Sequence, residues 1–286
     1  MLIIDTQVHA ESKRWPRRGL SEFIDEPESV RETPFGIDEL RREMDGAGVA
    51  RAILYPLPGE GEHEPTEAVR RDPGRFALVY PIGPAGGDVR AQVARARALP
   101  NLLAVRVMVA GPFWHRPAID DEWRRQATWD VGPDGPWGIL EDIGIPVVAF
   151  SPNAVEKLDA VARRHPRLRL VIDEMGLSPN IKDGQVGPRI DALVELARYP
   201  NLAVKMAHLR RFSSEPYPLR NLHPHLCRVV NAFGAERVHW ASNFSEIVGI
   251  TYRQTVTMMT ESLDCLTSTQ KEWVMGRAAA AFFPWP

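Results

Sequence analysis

Cysteine is close to absent: Cys227 and Cys265 are the whole complement of a 286-residue chain. Two thiols fall short of a zinc quartet or a disulfide framework. Long apolar runs are missing too, and none approaches the roughly 20 residues that a membrane-spanning helix needs. Neither sign of charge dominates, since 35 basic and 37 acidic side chains leave a formal charge of -2. That balance offers no electrostatic footprint for nucleic acid or anionic lipid. The opening Met1-Leu-Ile-Ile-Asp-Thr lacks the basic region, apolar stretch and small-residue cleavage site of a secretory signal. No phosphate-cradling glycine loop, nucleophile elbow or dinucleotide fingerprint occurs. The expectation is a soluble cytoplasmic enzyme or binding domain that takes a small molecule and needs no cofactor, nucleic acid or membrane.

What the chain has is a globular composition, 44% hydrophobic and 25% charged, too apolar for disorder. Short apolar runs at 2–4, 52–55, 76–80, 102–107, 145–150, 168–172, 202–206 and 238–241 alternate with amphipathic helical patterns. Strands alternating with helices imply right-handed crossovers and a parallel sheet. About eight such units in roughly 250 residues is the size of a (β/α)8 barrel. Punctuation agrees: Pro100, Pro166 and Pro200 each separate a helix from a strand, and Gly48, Gly144 and Gly234 offer helix C-terminal caps. The predicted fold class is α/β, one distorted (β/α)8 TIM-barrel domain over 1–286. An open doubly wound sheet is the alternative.

Two long segments break the rhythm, 11–34 after the first strand and 110–136 after the fourth. Both leave the C-terminal ends of strands, the face where a barrel carries its active site. The second holds Trp114, Trp123 and Trp129, which either cover the barrel mouth or form a wall for an apolar or aromatic ligand. Trp114 is the residue singled out as a ligand contact. The first strand runs out in Asp5-Thr-Gln7-Val-His9, and strand alternation predicts that Asp5, Gln7 and His9 share a face. Asp5 is expected to serve as a hydrogen-bonding brace at the barrel base and His9 to reach the mouth.

Ile4-Asp-Thr-Gln-Val-His9 resembles the opening His-x-His strand of the amidohydrolase superfamily, with glutamine in the first ligand position. Further stretches resemble its amidohydrolase-related branch, which includes metal-independent lactonases and metal-dependent decarboxylases. They are Phe35-Gly-Ile-Asp-Glu-Leu, Asp72-Pro-Gly-Arg-Phe76, His165-Pro-Arg-Leu-Arg-Leu-Val-Ile-Asp-Glu-Met-Gly176, Tyr199-Pro-Asn-Leu-Ala-Val-Lys205 and Phe233-Gly-Ala-Glu-Arg-Val-His-Trp-Ala-Ser-Asn243. The resemblance implies the same distorted TIM barrel.

The departures point to unusual chemistry. Metal-binding members carry two histidines on the first strand, histidines after the fifth and sixth, and an aspartate after the eighth. The matching positions here are Gln7, His9, Phe150, Glu174 (in Asp173-Glu174) and Asn243. Catalytic zinc takes about three His, Glu, Asp or Cys ligands, and only His9 and Glu174 qualify, so no metal is expected. The eighth-strand aspartate that activates water in metal-free relatives is also gone, and the Asn243 amide does not titrate. Proton transfer therefore falls to Glu174 first and His9 second, with His208, at the outlet of the seventh strand, as a further donor. A buried Glu–His hydrogen bond without chemistry is the bland alternative.

Gln7, Tyr55, Asp173 and Asn243 are the expected polar contacts to substrate. Arg106, at the outlet of the fourth strand, is the expected clamp for an oxyanion or carboxylate. Lys205 is offered as a second partner for a substrate carboxylate. It lies on the opposite parity to His208, so a regular strand would not bring both into the site. The function expected is metal-independent hydrolysis of a small lactone, ester or amide, aromatic or carboxylate-bearing. A lyase, decarboxylase or isomerase on the same barrel, and a catalytically inactive ligand-binding barrel, are the competitors. Self-association is left open, with 282–285 placed either to cap a core or to form a dimer contact.

Overall fold

Strands buried on both faces read as continuous apolar runs rather than alternating ones, and the apolar segments here take that form. A computed structural model describes residues 1–10, 35–56, 62–115, 119–133, 135–244 and 248–285. The expected loop 11–34 lies outside the described residues. The strands are β1 (Ile4–Val8), β2 (Arg51–Leu54), β3 (Phe76–Pro81), β4 (Leu102–Val109), β5 (Val147–Phe150), β6 (Leu170–Ile172), β7 (Leu202–Met206) and β8 (Val238–Trp240). Each pairs parallel with the next. Between them run α1 (Ile37–Ala47), α2 (His63–Arg71), α3 (Val89–Arg97), α4 (Asp121–Ala127), α5 (Trp137–Ile143), α6 (Leu158–Arg164), α7 (Val186–Val194) and α8 (His223–Phe233), with α9 (Tyr252–Thr257) after β8. The 110–136 segment is partly regular: it holds α4 and a two-residue strand, Thr128–Trp129, that pairs with the end of β4.

The sheet closes almost fully. Across the β8–β1 seam Thr6 Oγ1 donates to Trp240 O (2.7 Å), Ser242 N–H to Asp5 Oδ1 (2.9 Å), and Asn243 N–H to Gln7 O (3.1 Å). The result is a nearly closed (β/α)8 TIM barrel, as the spacing predicts. Inside it Ile4, Ile53, Ala77, Val79, Val148 and Val171 fill the lumen, while a larger core lies between sheet and helices. On α1, Leu40 and Met44 sit one turn apart on the buried face, and Gly48 ends the helix in a left-handed conformation (φ 72°) that only glycine adopts without steric cost.

Three expectations meet their answer here. The common face for Asp5, Gln7 and His9 fails, because the β1–β2 register shifts between Asp5 and Val8. Asp5 turns out toward the helix layer, accepting from Ser242 N–H and Oγ and from the Tyr252 hydroxyl (2.9 Å) on α9. It is a brace, but at the seam. The two cysteines form a single disulfide between α8 and residue 265, with Cα atoms 6.2 Å apart, a pairing invisible in a residue count. The terminal segment caps the core: Phe283 enters the luminal cluster, and Trp285 donates to Pro73 O (3.3 Å) under the Arg51 guanidinium. Among the described residues no helix is long and apolar enough to cross a membrane.

Candidate active site

The strand ends at one side of the barrel leave regular geometry together. Asn153, Glu174, Met175, His208 and Asn243, following β5 to β8, all have φ between 49° and 63°, a region sparsely used by residues other than glycine. The twist at His208 resolves the parity conflict on β7. Lys205 faces the lumen within the strand, and the turn beyond Met206 brings the His208 ring to Glu174 as well, with Nδ1 3.5 Å from Oε2. Both residues therefore join one site.

Its centre is a cluster of buried charges. Lys205 Nζ donates to Gln7 Oε1 (2.9 Å), Tyr55 Oη (2.7 Å) and Asp173 Oδ1 (3.1 Å), which uses all three ammonium donors. Arg106 grips the same aspartate, Nε and Nη2 lying 2.9 and 2.7 Å from Oδ2. Gln7 Nε2 then donates to Glu174 Oε1 (3.2 Å). Burial opposes ionisation of Asp173, but Lys205 and Arg106 outweigh it and hold its carboxyl below the ordinary range. Burial pushes the Lys205 ammonium down, and Asp173 pulls it partly back. Burial, reinforced by the Asp173 charge, raises the Tyr55 phenol well above its usual value. Two cations thus face two carboxylates, Asp173 and Glu174.

Lys205 is fully buried with its donors spent, so it does not meet a substrate carboxylate as expected. It acts as a post that keeps Gln7, Tyr55 and Asp173 in register. Arg106 is the cation with access: its side chain is 12% exposed, and its Cζ lies 4.8 Å over the Phe150 ring and 5.6 Å from that of Tyr55. Trp114 stands one layer back, its Nε1 donating to Val109 O (2.8 Å) and its ring 5.9 Å from Phe150. Trp114 and Phe150 together build the aromatic wall on which Arg106 rests.

Arg106 opens onto a cavity of about 190 Å³ lined also by His9, Tyr55, Pro56, Ile82 and Met108. Pro56, Ile82 and Met108 escaped the sequence reading, although their places just beyond β2 and β3 and late in β4 mark them as mouth positions. His9 Nδ1 lies 2.9 Å from Tyr55 O. A carbonyl only accepts, so Nδ1 carries the proton of that bond. Tyr80 is elsewhere, donating to Glu62 Oε2 (2.8 Å) beside a separate cavity of about 450 Å³.

The residues at the ligand positions do not suit a divalent cation. Gln7 Oε1 and Asp173 Oδ1 hold Lys205, Glu174 Oε1 holds Gln7, Phe150 has no donor, and Asn243 offers a neutral amide. Among the described residues no three His, Cys, Asp or Glu side chains converge as a metal-ligand set.

The amidohydrolase family model matches residues 4–285. An L-fucono-1,5-lactonase from Burkholderia ambifaria is 27% identical over 213 residues, 73% of this chain and 70% of that protein. An amidohydrolase from Burkholderia multivorans, solved with bound zinc, superposes with a TM-score of 0.75 at 18% identity over the full length of both chains. A 5-carboxyvanillate decarboxylase from Sphingomonas paucimobilis gives 0.62 at 16% identity, covering 100% of this chain and 99% of that one.

Proposed function

We propose a reaction for this chain, which belongs to the amidohydrolase family: hydrolysis of a small lactone, ester or amide bearing a carboxylate or an aromatic ring, run without a divalent cation. The observation that carries the proposal is the 190 Å³ cavity with the His9 imidazole and the Arg106 guanidinium in its walls and apolar Pro56, Ile82 and Met108 between them. A base and a cation set into an otherwise apolar pocket suit a compact acyl substrate. The lactonase relative supports the same class.

In this scheme water gives a proton to His9 Nε2 as its oxygen bonds to the carbonyl carbon, and the carbonyl electron pair moves onto oxygen. Arg106 holds the resulting negative charge or a substrate carboxylate. The C–O or C–N bond then breaks, and the leaving atom recovers the proton from His9. Glu174 and His208 form the second proton-transfer pair. Lys205 keeps Asp173 ionised, which holds Arg106 in place.

Exhaustive chelation is the direct test. Turnover of a small aromatic lactone such as dihydrocoumarin should survive it, and activity that disappears and returns with zinc or manganese would overturn the metal-free reading. Comparing Glu174→Gln with His9→Asn identifies the water-activating group: the larger kcat loss marks it, and it is expected at His9. One observation favours a second reading, decarboxylation. Asn243 replaces the aspartate that activates water in the resembling hydrolases, and loss of carbon dioxide needs no attacking water. Solvent oxygen-18 entering the product supports hydrolysis, whereas its absence with carbon dioxide release supports the lyase.

A further inference from the structure

Asn243 is the odd member of the mouth. Its side chain is buried, with the residue 1% exposed, yet among the described residues neither Oδ1 nor Nδ2 has a hydrogen-bond partner. Its backbone is engaged: the N–H donates to Gln7 O across the seam, and φ is 53°. The neighbouring Ser242 points away, bonded to Asp5 in the helix layer, so Asn243 stands beside Gln7 at the mouth. A buried polar group left unsatisfied costs about 1–3 kcal/mol, and an amide carries both a donor and an acceptor in that condition. At a strand end on the mouth, unlike the sealed base, a side chain kept at such a cost in the free protein is accounted for by what it meets when a ligand is present.

We infer that Asn243 is a catalytic residue whose Nδ2–H donates to the reacting carbonyl oxygen of the substrate. This rests on the hydrolytic reading above. Lys205 has no donor to spare, and Arg106, with Nε and Nη2 on Asp173, keeps its remaining N–H groups for a substrate carboxylate or a share of the oxyanion. The two cations are matched by two carboxylates, so a neutral donor adds stabilisation of a developing oxyanion without another buried charge. With both ends unpartnered, the amide turns Nδ2 toward the oxygen without breaking a bond. As water oxygen bonds to the carbonyl carbon, the electron pair displaced onto the carbonyl oxygen is received by that N–H. The same bond relaxes when the leaving atom departs and the carbonyl reforms. Removing one such donor typically lowers kcat by about 100- to 1,000-fold.

The test separates function from packing by reading stability and turnover on the same variants. Asn243→Gly removes the amide and keeps a residue at ease with positive φ. Its thermal midpoint is expected to equal that of the wild type or exceed it by about 2 °C, while kcat on dihydrocoumarin falls about 100-fold with a smaller change in KM. Asn243→Ser, which restores a hydroxyl donor, is expected to fall between the two. A midpoint several degrees lower in Asn243→Gly would overturn the inference, because the amide would then be holding the fold together. Unchanged kcat would overturn it equally. If the wild type turns over no lactone, the hydrolytic reading fails on its own. The midpoint comparison then still decides whether Asn243 is maintained at the expense of stability.

Discussion

The two ends of the barrel treat polar atoms in opposite ways. At the base Ala279, in the terminal helix Ala278–Phe282, and Phe283 just after it pack with Ala77 and Ala203 in the luminal cluster. One polar intruder, His239, is packed against Phe282 and Phe283 with centroids 5.3 and 5.6 Å away and neither ring nitrogen bonded. At the mouth the same strands end in Gln7, Arg106, Asp173, Glu174, Lys205 and His208, tied into one network around ionised groups. The base is apolar and buries a neutral imidazole, whereas the mouth buries charges and matches them. Burial alone cannot tell a stabilising end from a reactive one. What distinguishes them is whether polar groups sit on strained strand ends that open to a cavity.

This contrast predicts that changes at the base alter stability and changes at the mouth alter turnover. The largest effect is expected at His239, whose pKa is pushed down to about 3, mainly by burial, with the Lys205 and Arg169 charges adding. The unfolded chain protonates this group near 6.5, so its neutral burial contributes stability above that pH that is lost as pH falls toward 3. At about 1.4 kcal/mol per pH unit the loss amounts to ~4–5 kcal/mol. Urea unfolding between pH 7 and 4 should show a flatter pH dependence in His239→Leu, and an unchanged slope would break the comparison. Asp5 acts in the opposite sense, since burial raises it to about 6 and its contribution declines as pH rises from 4 to 6.

Phe283→Ala should cost about 3–5 kcal/mol by leaving the lumen unplugged, with kcat per folded molecule unchanged. A kcat that fell in proportion would mean the two ends are coupled. At the mouth His9→Asn is expected to lower kcat/KM by about 100- to 1,000-fold, with an unfolding midpoint close to that of the wild type. The smallest effect is Arg106→Lys, expected to raise KM for a carboxylate-bearing substrate by about 10-fold, because an ammonium lacks the guanidinium fork. A larger effect on a neutral lactone than on a carboxylate would move Arg106 from substrate clamp to oxyanion donor.

Much of the framework was legible in the residues. Pro100, Pro166 and Pro200 and the caps at Gly48 and Gly144 marked where helices give way to strands, because backbone preference at those residues is local. His9, Arg106, Glu174 and His208 were named as mouth residues from their places at strand ends. Their wiring was not legible. Asp5 faces outward because of one register shift in β1, and His208 joins Lys205 in the site because of one left-handed turn. Trp114 backs Phe150 rather than lining the described cavity, and its indole N–H donates to Val109 O.

The residues by themselves determined the alternating barrel and the chemical kind of each strand end, including the neutral amides Gln7 and Asn243 at positions where the family resemblance implies metal ligands. Only the tertiary structure decided which polar groups are satisfied. Lys205 takes its three acceptors from residues 32, 150 and 198 positions away in the chain, while the Asn243 side chain takes none among the described residues. Hydrogen-bond satisfaction depends on where separate strand ends converge, which no local preference encodes.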